Sequence, residues 1–223
     1  MCIEVRKSIV MPPSVKFSKE EIVEAALRVT RIGGIASLTA RSLASELGAS
    51  TRPMFTYFDS MDALKHEVHE AAKGLYRTYV ERGLEEPIPF LGVGQSYIRF
   101  AKEEPELYKL LFLQRPDGTS GGAMEALALS QDLVRASLMR IYRMDAEQAD
   151  CYFRDLWLVA FSFATLIVTD DCPYTDEQMS AIFTEFSLSI CKAYKEIPGL
   201  HRGDFDRDAI FRSLTGNGGA DGS

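Results

Sequence analysis

Residues 39–65, TARSLASELGASTRPMFTYFDSMDALK, decide how this 223-residue chain is read. Thr39 can cap a helix whose apolar residues Leu43, Ala44 and Leu47 share one face, and Gly48 supplies the positive φ that ends it. Ser50 can cap the next helix. Pro53 falls in its first turn, where backbone N–H groups lack intrahelical partners, so it costs little there. Met54 and Phe58 then point inward, leaving Ser50, Thr51, Arg52, Thr56 and Tyr57 on the outer side. Two short helices joined by a Gly turn, with a separately capped helix after them, form the pattern of a helix-turn-helix. Its second helix reaches base edges when it lies in the major groove. An ordinary helical corner has the same spacing, and the flanks decide between the two.

Upstream, Phe17-Ser18-Lys19-Glu20-Glu21-Ile22 combines a Ser-x-x-Glu capping box with a hydrophobic staple from Phe17 to Ile22. The helix it starts runs through Val23, Ala26, Leu27 and Val29 to Gly33-Gly34, and Ile35 and Leu38 anchor the link to the second helix. Downstream, Ser60 caps a fourth helix with Leu64, Val68, Ala71, Leu75 and Tyr79 on one stripe. The pair is braced on both sides, which favours DNA binding over a plain corner.

The pattern Leu38-Thr39-x-Arg41-x-Leu43-Ala44-x-x-Leu47-Gly48, then Phe55-x-x-Phe58-x-Ser60 leading into a long helix, resembles the N-terminal domain of the tetracycline-repressor (TetR) family of transcriptional regulators. The match spans roughly residues 17–68, and its motifs are specific in combination though each is weak alone. The resemblance implies that Thr39 and Arg41 meet a phosphate and a groove edge. By the same resemblance Ser50, Thr51 and Arg52 form the base-reading turn, while Thr56 and Tyr57 contact the DNA backbone. Two positions depart from the pattern: Phe55 stands where the family typically has Tyr, and Met61 where a Lys typically follows the Ser cap. Both weaken phosphate anchoring, for which Lys65 and the arm residues Arg6, Lys7 and Lys16 could compensate.

Charge is divided to suit this reading. Residues 1–60 hold eight Lys/Arg against six Asp/Glu, whereas the rest holds seventeen against twenty-six, within a total of −7. The basic end is the helix-turn-helix end, so an acidic total does not exclude nucleic acid. Four cysteines without CxxC pairing and three histidines argue against structural zinc and suit a reducing cytoplasm. The first ten residues lack the apolar segment of a signal peptide, and Met11-Pro12-Pro13 could be an alternative start. The Gly-rich end from Ser213 is expected to be disordered.

Beyond residue 80 the chain reads as helices. Gly83–Pro89 reads as a linker, followed by a helix with Val93, Tyr97, Phe100 and Ala101 that breaks before Pro105. Glu106–Leu113 reads as a short helix, Gln114–Gly122 as a loop, and Met124–Tyr142 as a helix with Leu127, Leu133 and Ile141. Gly94-x-x-Tyr97-x-x-Phe100-Ala101-x-x-x-Pro105-Glu106-Leu107-Tyr108-x-Leu110-Leu111-Phe112 is similar to the C-terminal domain of the WHG-type TetR subgroup. Residues 156–168 are apolar all round, yet thirteen residues rise only about 20 Å against a hydrocarbon core of about 30 Å. Such a helix must be covered on every side, partly by its own core and partly by a second subunit. The helix after Thr175, with Met179, Ile182, Phe183, Phe186, Ile190 and Tyr194, could join it in a four-helix interface across a two-fold axis.

Tyr97, Phe100, Tyr108, Phe112, Tyr152, Trp157 and Phe161 are candidate lining for an effector pocket, although each alone reads more simply as core. Arg99 or Arg154 could hold an anionic group, with a surface or interface salt bridge as the simpler role. Enzymatic readings are poor. His66 and His69 are three apart and lack HExxH spacing, and no glycine cluster follows a strand to cradle phosphate. The expected protein is all-α and is not an enzyme. It has an arm (1–16), a helix-turn-helix domain (17–62), a helical effector-binding and dimerisation domain (63–205) and a tail (206–223). Its expected partners are an operator in double-stranded DNA, a small lipophilic or aromatic effector and a second copy of itself, with no cofactor, metal or membrane. The alternative is a helical dimeric sensor or partner-binding protein with weakened DNA binding.

Overall fold

The computed structural model describes residues 17–114 and 122–215, apart from the Ala126 side chain. The arm with Arg6, Lys7 and Lys16, the alternative start at Met11, most of the 114–122 loop and the tail from 216 lie outside the described residues. Ten α-helices make up the described chain: α1 (Lys19–Gly33), α2 (Ala40–Leu47), α3 (Arg52–Tyr57), α4 (Met61–Leu84), α5 (Pro89–Glu103), α6 (Pro105–Tyr108), α7 (Ala123–Tyr142), α8 (Ala146–Val168), α9 (Asp176–Glu196) and α10 (Arg207–Leu214). The fold is all-α, and it divides within α4 into one unit ending at Ala72 and another beginning at Lys73.

In the N-terminal unit the helix ends form where their capping residues stand. The Ser18 hydroxyl accepts from the Glu21 amide and the Glu21 carboxylate accepts from the Ser18 amide, completing the capping box of α1. Gly34, at φ 72°, ends that helix and leads into a short 3-10 turn, Ile35–Ser37. Thr39 caps α2 reciprocally with Ser42, and Gly48 ends it in the left-handed region at φ 58°. The core of the unit is built from Ile22, Ala25, Ala26, Leu38, Leu43, Met54, Phe58, Leu64 and Val68, all at most 4% exposed.

Helix α3 differs from the capping expected of Ser50. It starts at Arg52 after Thr51, and no side chain caps it. Pro53 at the second helical position has no N–H, so one of the two amides a capping oxygen would bond is missing. The inward stripe of α4 also differs. Leu64, Val68 and Tyr79 are buried as expected, but Ala72, Tyr76 and Val80 are buried in place of the half-buried Ala71 and Leu75. The expected stripe stays on one face of a helix of 3.6 residues per turn, whereas the buried residues advance four at each step and so wind about 40° further round it each time.

The C-terminal unit packs α5, α7 and α9 around α8. α8 is 23 residues long, so its length of about 34 Å does not by itself argue against a membrane span. Burial decides the matter: Tyr152, Phe153, Leu156, Trp157, Ala160, Phe163 and Ala164 face the interior of their own unit, and α8 is a core helix. Its Leu158 is 51% exposed, so the helix has an uncovered apolar flank. On α7 the inward residues are Leu127, Val134 and Leu138, whereas Leu133 is half-buried and Ile141 exposed.

α4 extends through Leu84, two residues into the expected linker, and Gly83 there meets Gly92 of α5. A Cβ on Gly83 would stand 2.6 Å from the Gly92 carbonyl oxygen, so the two backbones approach as only glycines allow. After α6 the chain continues as a π-helical turn, Lys109–Leu113, which buries Leu110, Leu111 and Phe112. Residues 207–214, in the expected tail, form α10, whose cap Asp206 accepts from the Ala209 amide. α10 buries no residue, and composition alone did not reveal it.

Candidate nucleic-acid interface and aromatic cavity

In the N-terminal unit α3 is held by packing rather than by a cap, and ion pairs join α1 to the helices on either side of it. Arg28 Nε lies 2.7 Å from Glu46 Oε1, joining α1 to α2, and Lys19 Nζ lies 2.7 Å from Glu67 Oε1, joining α1 to α4. Both pairs are part-exposed, so they position more than they stabilise. Met54 is 1% and Phe58 4% exposed, and these two buried residues fix which face of α3 looks outward. That face carries Arg52, Phe55 and Thr56, with Ser50 and Thr51 at its N-terminal end. Arg41 and Arg52 are exposed and form no ion pair among the described residues.

Several hydroxyls assigned to phosphate contact already have partners. Thr39 Oγ1 accepts from the Ser42 amide, Thr56 Oγ1 donates to the Arg52 carbonyl at 3.3 Å, and Tyr57 Oη donates to the Phe17 carbonyl at 3.1 Å. Lys65 lies 3.8 Å from Asp62 with its side chain 40% exposed, so its charge reaches solvent. Phe55 is 57% exposed and shares the Arg52 face. It belongs to the outward surface, a role the sequence pattern assigned to its polar neighbours.

In the C-terminal unit, four of the seven candidate lining residues come together. Tyr97, Phe100, Tyr108 and Phe112 gather around Tyr76, whose ring centroid is 5.2 Å from both Phe100 and Phe112 and 6.0 Å from Tyr97. Trp157 joins at 6.2 Å from Tyr97, and Phe161 packs on Trp157 at 5.0 Å. Tyr152 sits apart, in a second cluster with Phe90 at 5.0 Å and Tyr142 at 5.5 Å.

Of the seven, Tyr97 and Trp157 line a small cavity between these clusters, together with Tyr76, Phe90, Phe153 and Phe183. Its volume is about 10 Å³. The sequence pattern missed Tyr76 and Phe183. Gly94 is the trace of the latter, since a Cβ there would stand 2.4 Å from the Phe183 ring.

Hydrogen bonds account for the phenols. Tyr76 Oη lies 2.7 Å from Ser130 Oγ, and Tyr97 Oη donates to Tyr108 Oη at 3.2 Å, which in turn lies 3.3 Å from Thr165 Oγ1. Burial pushes the Tyr76, Tyr97 and Tyr108 hydroxyls above the ordinary phenol value, so they stay neutral donors. Trp157 Nε1 is buried with no hydrogen-bond partner among the described residues.

A larger groove of about 220 Å³ opens between α5 and α9, lined by Gln95, Arg99, Lys102, Asp176, Ser180 and Phe183 among others. Lys102 pairs there with Asp176, and Gln95 donates to Ser180 at 3.4 Å. Arg99 therefore faces this outer groove, and Arg154 pairs with Asp155 at 2.7 Å, so the cavity lining contains neither.

No protein-family model matches the chain. An uncharacterised HTH-type transcriptional regulator of Mycobacterium tuberculosis is 26% identical over 189 residues, covering 82% of this chain and 84% of the relative. A TetR-family member from Streptomyces coelicolor A3 matches with a TM-score of 0.54 at 22% identity, over 78% of this chain and 98% of the other. A TetR variant from Acinetobacter baumannii AYE, solved in complex with minocycline, gives 0.54 at 17% identity over 81% and 97%. The multidrug binding protein EbrR, complexed with imidazole, gives 0.50 at 23% identity over 74% and 92%. The chain is thus similar along most of its length to TetR-type regulators and has their all-α fold with an N-terminal helix-turn-helix region.

Proposed function

We propose that the protein is a ligand-responsive transcriptional regulator of the TetR family, a homodimeric repressor that leaves a palindromic operator when a small lipophilic or aromatic effector binds. The observation that carries this reading is the outward face of α3. Arg52 and Phe55 are exposed there above the buried Met54 and Phe58, directly after the left-handed Gly48 turn. In a major groove, Arg52 would donate to guanine O6 and N7, and Phe55 would meet a thymine methyl. Arg41 and Lys65 would supply phosphate contacts, with Ser50 and Thr51 at the base-reading turn. Thr39 would act chiefly by holding the start of α2, because its hydroxyl is engaged with Ser42.

The relative's description as a transcriptional regulator, and the minocycline and imidazole bound to the structural neighbours, support the division into a DNA end and an effector end. A two-fold dimer through the exposed flank of α8 and α9 would set two α3 helices about 34 Å apart, one turn of B-DNA, and hence require a palindrome. The effector would favour a state in which α4 is displaced and that spacing is lost, so ligand and DNA would antagonise each other reciprocally.

A second reading is a sensor that binds DNA weakly, which the absence of a tyrosine hydroxyl at Phe55 and the engagement of Tyr57 with Phe17 favour. Selection of bound duplexes from a random library, using the full chain, separates the two. Enrichment of a palindrome whose binding weakens steeply with salt is the expected result. A stable dimer that enriches nothing would establish the second reading.

A further inference from the structure

The cavity beneath Trp157 combines three properties that together define a ligand class. It is lined by uncharged side chains, including Tyr76, Tyr97, Phe153 and Phe183. A charged ligand would lose its hydration there without gaining a counter-charge. Its volume, about 10 Å³, holds at most one water, whereas small-molecule sites run to about 300–1,000 Å³. A ligand can enter only by moving rings apart. Trp157 brings the third property. It is 7% exposed, and its indole N–H has no partner among the described residues, while the hydroxyls of Tyr76, Tyr97, Tyr108 and Thr165 in this unit are engaged with one another or with Ser130. A buried donor left unpaired makes the site hungry for an acceptor, and filling it recovers desolvation already lost.

We propose that this small cavity is a latent binding site for neutral, flat, apolar molecules carrying a hydrogen-bond acceptor, taken by the Trp157 indole N–H. The proposal rests on the reading of the C-terminal unit as an effector sensor and adds the ligand class and the residue that selects it. Tyr76 and Phe183 are the rings that must yield. Tyr76 is held by its ring contacts and the Ser130 bond, and Phe183 by its stack on Phe90 at 6.2 Å and its packing on Gly94, with no hydrogen bond. Because Tyr76 stands on α4, the ring displaced by the ligand belongs to the helix that continues into the DNA-binding unit. The outer α5–α9 groove, although larger, has its Lys102 and Gln95 paired with Asp176 and Ser180, and it offers no comparable buried donor.

The chain contains one tryptophan, so its indole N–H gives a single, site-specific signal in a proton–nitrogen NMR spectrum. The test uses the full-length protein and three probes: 1-acetonaphthone, its carbon isostere 1-isopropenylnaphthalene, and the anion 1-naphthoate. The expected result is a downfield shift of the indole proton with 1-acetonaphthone alone. Calorimetry should then give about 3- to 10-fold tighter binding than for the isostere, a preference that disappears in Trp157→Phe. Equal binding of ketone and isostere with an unmoved indole signal overturns the proposal, as does a ketone preference retained in Trp157→Phe. The shift in the wild-type protein decides the matter if that variant does not fold. Should 1-naphthoate bind and release operator DNA while the indole signal stays put, the sensor reading stands and this assignment fails. Absence of binding by all three also overturns the assignment, and a wider screen for operator release then judges the sensor reading separately.

Discussion

The phenol oxygen of Tyr76 lies 2.7 Å from the hydroxyl oxygen of Ser130, with both side chains buried, and this bond ties α4 to α7. Tyr76→Phe keeps the ring contacts with Phe100 and Phe112 and removes only the hydroxyl. It should cost about 1–2 kcal/mol of stability in urea denaturation. Combined with Ser130→Ala, the loss should be less than the sum of the two single losses, because one bond is removed twice. Strict additivity would show that the pair does not act as a unit.

Alkaline pH should destabilise the protein. Burial raises the phenols of Tyr76, Tyr97, Tyr108 and Tyr152 above their ordinary value of 10.0. Above that pH the unfolded chain releases protons that the folded chain keeps, so the stability they contribute is complete below pH 10.0 and falls as pH rises further. Urea midpoints compared at pH 8 and pH 11 should fall at the higher pH, and absorbance near 295 nm should show part of the tyrosine ionising only on unfolding. Midpoints that match at the two pH values contradict this account.

Two helical glycines should respond oppositely to alanine. A Cβ at Gly94 would stand 2.4 Å from Phe183, so Gly94→Ala must push that ring and should cost about 1–3 kcal/mol. At Gly74, exposed on α4, nothing lies within 4 Å, and Gly74→Ala should stabilise by up to about 1 kcal/mol. Thermal melts of the two variants check both signs.

DNA variants should sort by contact type. Arg52→Ala should lower discrimination between the selected site and a scrambled duplex by about 1–3 kcal/mol, whereas Lys65→Ala should weaken both about equally and flatten the salt dependence. Phe55→Ala should relax preference at a thymine position without changing the salt slope. Binding titrations at several salt concentrations read all three, and an Arg52→Ala protein with unchanged selectivity would remove Arg52 from base reading.

Subunit association should depend on the uncovered apolar flank of the last long helices. Leu158 on α8 is 51% exposed and Phe186 on α9 47%, while Met179, Phe183 and Tyr194 are buried within their own subunit. Leu158→Glu or Phe186→Glu should therefore convert the proposed dimer to monomers in sedimentation analysis without lowering helix content, since burying an unpaired carboxylate in an interface is costly. Persistence of the wild-type mass in both variants would locate the interface elsewhere.

What the sequence determined by itself is local. The starts of α1, α2, α8 and α9 follow from Ser18, Thr39, Asp145 and Thr175, each with its reciprocal partner three residues on. The end of α2 follows from Gly48. These signals act within one turn and need no other part of the chain. The inward sides of α3 and α5 were legible for the same reason, because Met54 and Phe58, and Val93, Tyr97 and Phe100, recur at helical spacing over a short span.

The tertiary structure alone decided what depends on residues far apart in the chain. It chose Tyr76 over Leu75 for the core, since the drift of a long helix shows only once its neighbours are in place. It set Gly83 against Gly92 and Phe183 over Gly94, contacts whose partners are distant or carry no side chain to reveal them. It exposed Phe55 and engaged Tyr57 with Phe17, and it left the Trp157 N–H buried without a partner among the described residues. Aromatic residues at helical spacing look alike in a sequence whether they fill a core or surround a cavity. The difference is the space left between helices, and only packing creates it.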